Sequence, residues 1–163
     1  MPASSQMVSV SLDRDMARRI EPISAGPVES SLGRPPIAAA DPLAQTRQQV
    51  YELQKLPAGW DGADAVQPTP ASVRLALHWL TSCYAACRDA GLPWHAPSVA
   101  ADVEGEVVLE WWGQSRSLII SVNEDGVRSH RSEDVPGGPT RHTHSDAAGT
   151  GQQTSLLRWL NGD

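Results

Sequence analysis

The sequence predicts an α+β domain: two helices packed on a three- to four-stranded antiparallel meander, flanked by a disordered N-terminal arm and a short C-terminal helix. Three observations carry this. Apolar residues recur at helical spacing in two segments between residues 41 and 91. From Val99 onward the hydrophobic period drops to two. Tight-turn residues then separate short alternating runs, the pattern of consecutive hairpins.

Asp41-Pro42 opens the first helix, since Asp can cap orphan amides and Pro is tolerated at a first helical position. Leu43, Val50, Leu53 and Leu56 form its apolar stripe, and Pro57 and Gly59 stop it. Thr69-Pro70 opens the second helix by the same logic. Its stripe is Val73, Ala76, Leu77, Leu80, Tyr84 and Cys87, and Gly91 supplies a left-handed stop.

Val99, Ala101 and Val103 then alternate with Asp102 and Glu104. Val107–Trp112 follows, turned by Gly113-Gln114 into a strand carrying Leu118, Ile120 and Val122. Asp125-Gly126 turns the chain again toward Val127. Alternation assigns faces: Leu109 and Trp111 share one side with Leu118, Ile120 and Val122, while Val108, Trp112 and Ile119 share the other. The helices cover one face. A second face with an apolar patch needs its own cover.

Residues 1–40 and 131–153 are rich in Pro, Gly, Ser, Thr, Ala and charge, and bury too little to offset the entropy of ordering. The expected organisation is an arm over 1–40, a domain over 41–131, a flexible linker over 132–153 and a docking helix over 154–163. That helix carries Leu156, Leu157, Trp159 and Leu160, and is too short to hold in water undocked. It folds back over the Trp112 patch or engages another molecule.

Between the two helices lies Leu56-Pro57-Ala58-Gly59-Trp60-Asp61-Gly62-Ala63-Asp64. Asp61 can accept hydrogen bonds from backbone amides, Gly62 can take a positive φ, and Trp60 is expected to insert between helix and sheet. Leu56, Trp60-Asp61-Gly62, Pro68, Leu109-Glu110-Trp111 and Glu124-Asp125-Gly126 together resemble a set of small bacterial proteins with a Trp-Asp-Gly loop between two helices and a Leu-Glu-Trp strand. The resemblance spans about residues 43 to 130. Here Ala63 and Asp64 stand where that set often has an aromatic and a Gly. The resemblance implies an α+β fold and an accessory role, with no activity attached.

Chemistry-bearing patterns are sparse. There is no P-loop, dinucleotide fingerprint, nucleophile elbow or His-Glu-x-x-His. Asp61 and Asp64 could serve as a carboxylate pair in a small hydrolase or metal-dependent enzyme, yet no His or Lys stands beside them in the loop. His130, His142 and His144 fall in the segment read as disordered, which points to adventitious metal binding rather than a folded site. His78 and His95 are isolated. No metal and no cofactor is expected.

Cys83 and Cys87 lie four apart on one helix, where a mutual disulfide fits poorly; reduced thiols suit a cytoplasmic protein. No apolar stretch reaches membrane-spanning length. The net charge of -6 argues against phosphate neutralisation, and the one basic cluster, Arg14, Arg18 and Arg19, is diluted by Asp13, Asp15 and Glu21. The reading is a non-catalytic adaptor, regulator or inhibitor that works by protein–protein contact with another protein or a second copy, with neither membrane nor nucleic acid as its direct partner. Val108, Trp112 and Ile119 with Leu156, Leu157, Trp159 and Leu160 are its expected contacts, and Arg116 and Arg128 its polar rim.

Overall fold

The computed structural model describes residues 41–162. The arm over 1–40, with its arginine cluster, lies outside the described residues. Three helices and five strands follow in the order α1 (Ala44–Glu52), α2 (Pro70–Asp89), β1 (Ser98–Ala101), β2 (Val107–Trp112), β3 (Arg116–Asn123), β4 (Gly126–Glu133), β5 (Arg141–Asp146) and α3 (Thr150–Asn161). The strands form one antiparallel sheet in sequence order, β1-β2-β3-β4-β5. Among the described residues no helix is long and apolar enough to cross a membrane.

The second expected helix start holds, and the first is corrected: Leu43, not Asp41, stands at the N-cap without a side-chain cap, and Pro42 lies in the turn before the helix. Asp41 Oδ1 accepts the Leu43 amide at 2.9 Å and Oδ2 pairs with Arg47 at 2.7 Å, while the helix proper begins three residues on, at Ala44. Thr69 Oγ1 accepts the Ser72 amide at 3.1 Å, with Pro70 as the first helical residue. At the other end of α2, Gly91 sits at φ +67°, its amide donates to Arg88 O, and the Leu92 amide donates to Cys87 O. This is the paired closure that satisfies the last helical carbonyls and that a Cβ at φ > 0 would strain.

The strand register confirms the face assignment. Leu109 pairs with Ile120, Trp111 with Leu118, and Val107 with Val122, all on the side that α1, α2 and α3 cover. Two tryptophans meet edge to face at the centre, Trp79 of α2 and Trp111 of β2, with centroids 6.2 Å apart. Each indole N–H finds a backbone oxygen: Trp79 on Ala147 at 2.8 Å, Trp111 on His95 at 2.7 Å. Burying these rings therefore orphans no donor. Cys83 and Cys87 are free, buried thiols in the same core.

Two expectations are corrected here. The sheet has five strands rather than three or four, because the segment 132–153, expected to be a flexible linker, contains β5 and the start of α3. Its strand is held by polar rather than apolar contacts: β4 pairs with it along six residues, and Ser129 Oγ lies 2.9 Å from Ser145 Oγ. The ordered body thus runs on from Asp41 past Arg131 to the end of α3. The second correction concerns that helix. Leu156 and Leu157 are 5% and 3% exposed, inside the main core beside α2 and β3, so the C-terminal helix is part of the body and not a tethered docking element.

Candidate functional site

The face of the sheet turned away from the helices is built from cross-strand rows. One row reads Ser98, Glu110, Ile119, His130, His144; its neighbours read Ala100, Val108, Ser121, Arg128, Asp146 and Trp112, Ser117, Ser132, His142. The core takes its sheet residues from the other side only.

Trp112 is the outstanding member. It is 67% exposed, whereas Trp111, its neighbour in the chain, is 4% exposed. The period-two geometry of a strand makes that contrast: one indole enters the core and the next must leave it. The exposed indole N–H points to Glu110 Oε2 at 3.4 Å. Both side chains line a cleft of about 420 Å³, bounded also by His95, Ser98, Gly113 and the end of α3 at Leu160 and Asn161.

Val108 and Ile119 share the face with Trp112 but not its exposure. Val108 is buried, and Ile119 is half-buried between Glu110 and His130 in register. Beyond Val108 the face turns polar: buried Glu106 accepts from Asn123 Nδ2 at 2.8 Å and pairs with the Arg128 guanidinium. The apolar patch is therefore smaller than the sequence suggested and centres on Trp112.

The expected polar rim divides. Arg128 does lie on the open face. Arg116 lies on the helix side, where its Nε donates to Glu133 Oε1 at 2.9 Å and its Nη1 to Trp159 O at 2.6 Å. Arg116 and Arg131 each stand 5.4 Å from the centroid of the Trp159 ring, so this tryptophan anchors α3 to the sheet through cation–π contacts. Trp159 and Leu160 are half-buried against the core, and the helix does not fold over the Trp112 face.

The Trp-Asp-Gly loop is an internally bonded turn. Asp61 Oδ1 accepts the amides of Ala63 at 2.9 Å and Ala65 at 3.2 Å, and Gly62 sits at φ +83°. Gly59, at φ +69°, could not carry a Cβ without meeting Ala63 O at 2.8 Å. Trp60 does not insert between helix and sheet. It lies half-buried along the loop and donates to Val66 O at 3.3 Å, because the loop folds onto the turn between β1 and β2, where the Val66 amide bonds Val103 O. Asp64 is exposed. The two carboxylates do not form a pair, since Asp61 is committed to the backbone.

The histidines changed most between sequence and structure. His130 of β4 and His142 and His144 of β5 stand on ordered strands and on one face. His130 Nε2 is 3.2 Å from His142 Nδ1, Ser132 Oγ lies 3.1 Å from the latter, and the His130 and His144 rings are 4.2 Å apart. Burial, then His144 and then His142, hold the His130 imidazole below its ordinary range. The alternation His-Thr-His over 142–144 was the available signal, hidden because the strand carries no apolar residue.

No family model, no curated protein and no solved structure matches the chain.

Proposed function

We propose that this protein is a non-catalytic interaction module that binds another protein through the open sheet face centred on Trp112. One observation carries the reading: a tryptophan 67% exposed beside a cleft, on a domain whose two central tryptophans, Trp79 and Trp111, are covered and hydrogen-bonded. An indole held in water at the rim of a cleft is the kind of anchor that contributes most when a partner covers it. Half-buried Ile119 continues the surface in the next strand, and Arg128 forms its polar margin over the buried Val108 and Glu106. Leu156 and Leu157 support the fold rather than the contact.

An accessory role in a bacterial multi-component system, as adaptor, regulator or inhibitor, is the reading that the resemblance of the Trp-Asp-Gly and Leu-Glu-Trp segments implies; toxin–antitoxin and phage-defence assemblies are analogies of the same kind. An enzyme built on Asp61 and Asp64 draws no support from a carboxylate already bonded to two amides.

The test is a comparison of Trp112→Ala with the native chain in affinity capture from native host extract, read by quantitative mass spectrometry. Loss of a specific partner, with an unchanged melting transition, supports the reading. Light scattering on the purified chain separates a second copy from a different protein.

A further inference from the structure

A second feature of the open face is independent of Trp112. β4 and β5 are the last two strands of the sheet, and their register sets His130 directly opposite His144. Residues i and i+2 of one strand share a face, which brings His142 to the same side. Three imidazoles thus come from two adjacent strands, with Ser132 opposite His142.

We propose that His130, His142 and His144 form a binding site for a divalent transition-metal ion of the zinc class. The spacing of donors supports it. Imidazole nitrogens bind zinc at about 2.0–2.1 Å, so two corners of a tetrahedral shell stand roughly 3.3 Å apart. His130 Nε2 and His142 Nδ1 are 3.2 Å apart, already at that spacing, and their ring centroids are 5.4 Å apart. Among the described residues no group of three or more His, Cys, Asp or Glu side chains is placed to hold a metal ion as it stands, so the third ligand must turn in to complete the shell. His144 is exposed, its ring is 4.2 Å from that of His130, and a surface imidazole is free to change between staggered rotamers.

The chemistry of the donors selects the ion. Imidazoles without carboxylates suit zinc, nickel, cobalt or copper, and give no grip on magnesium or calcium. Ser132 Oγ, 3.4 Å from His130 Nε2 and 3.1 Å from His142 Nδ1, closes the polar surround.

The experiment uses the untagged full-length chain, dialysed against chelator and titrated with zinc chloride by calorimetry near pH 7.5, with cobalt(II) absorption as a second reading of the ligand set. One equivalent of zinc per chain is expected. His130→Ala, His142→Ala and His144→Ala should each weaken binding by about 100-fold or more, while His78→Ala and His95→Ala leave it unchanged. His144→Gln serves as a second variant, and circular dichroism checks that each protein is folded. Absence of saturable binding overturns the proposal. So does one-equivalent binding that survives the loss of His144, since a two-histidine contact is not the site described.

Discussion

Trp111 and Trp112 are consecutive in β2, yet the first is 4% exposed and donates its indole N–H to His95 O, while the second is 67% exposed at the mouth of a cleft. The pair separates what holds the domain together from what the sheet leaves exposed. Trp111→Ala should cost about 3–5 kcal/mol, as the loss of a large core aromatic does. Trp112→Ser should change stability by no more than about 0.5 kcal/mol. Urea unfolding of the two variants checks the contrast.

The C-terminal helix belongs to the core. Leu157→Ala should therefore destabilise the domain by about 2–5 kcal/mol, and a chain cut after Val135, which lacks β5 and α3, should lose its cooperative melting transition. An undisturbed melt for the shortened chain would show α3 to be dispensable.

Asp61 and Asp64 should behave differently although they share a loop. Asp61→Ala removes an acceptor serving two amides and should cost about 1–3 kcal/mol, whereas exposed Asp64 should be replaceable within about 0.5 kcal/mol. Chemical denaturation of the single variants measures the difference.

Stability should depend on pH through His130. Its folded value lies below the ordinary 6.5, so the unfolded chain binds this proton more readily than the folded one. Stability is then unaffected above the ordinary value and falls as pH drops through it toward the folded value. His130→Asn should flatten that decline. Denaturation midpoints between pH 5 and 8 provide the check, and an identical pH profile for both proteins would contradict it.

The two thiols should be inert in the native state. Burial raises both, Cys87 as well as the more deeply placed Cys83, and so suppresses the reactive thiolate. Alkylation with a maleimide should proceed slowly on the folded protein and reach both cysteines once it is denatured.

The helices, the meander and the division of its faces were legible because hydrophobic periodicity writes them directly. Leu109, Trp111, Leu118 and Ile120 could alternate only one way. β5 was not legible, because Thr143 and Ser145 meet Arg131 and Ser129 through polar contacts and leave no apolar period to detect. The histidine cluster was hidden with it: His130 and His144 lie fourteen positions apart in sequence and become neighbours only when β5 is placed. The role of α3 was hidden for a different reason. Its stripe was visible, but the choice among the core, the open face and a partner depends on Trp159 meeting Arg116 and Arg131, which are far away in sequence. At the candidate face Trp112 was identified from alternation alone, while the burial of Val108 was not.

The most direct test of the central claim is quantitative capture of partners by the native chain and by Trp112→Ala at matched stability. The account predicts a specific partner that is lost, or weakened at least tenfold, when Trp112 alone is changed and the melting transition is not. A partner retained at full strength by Trp112→Ala, or a monomer that captures none, would contradict it.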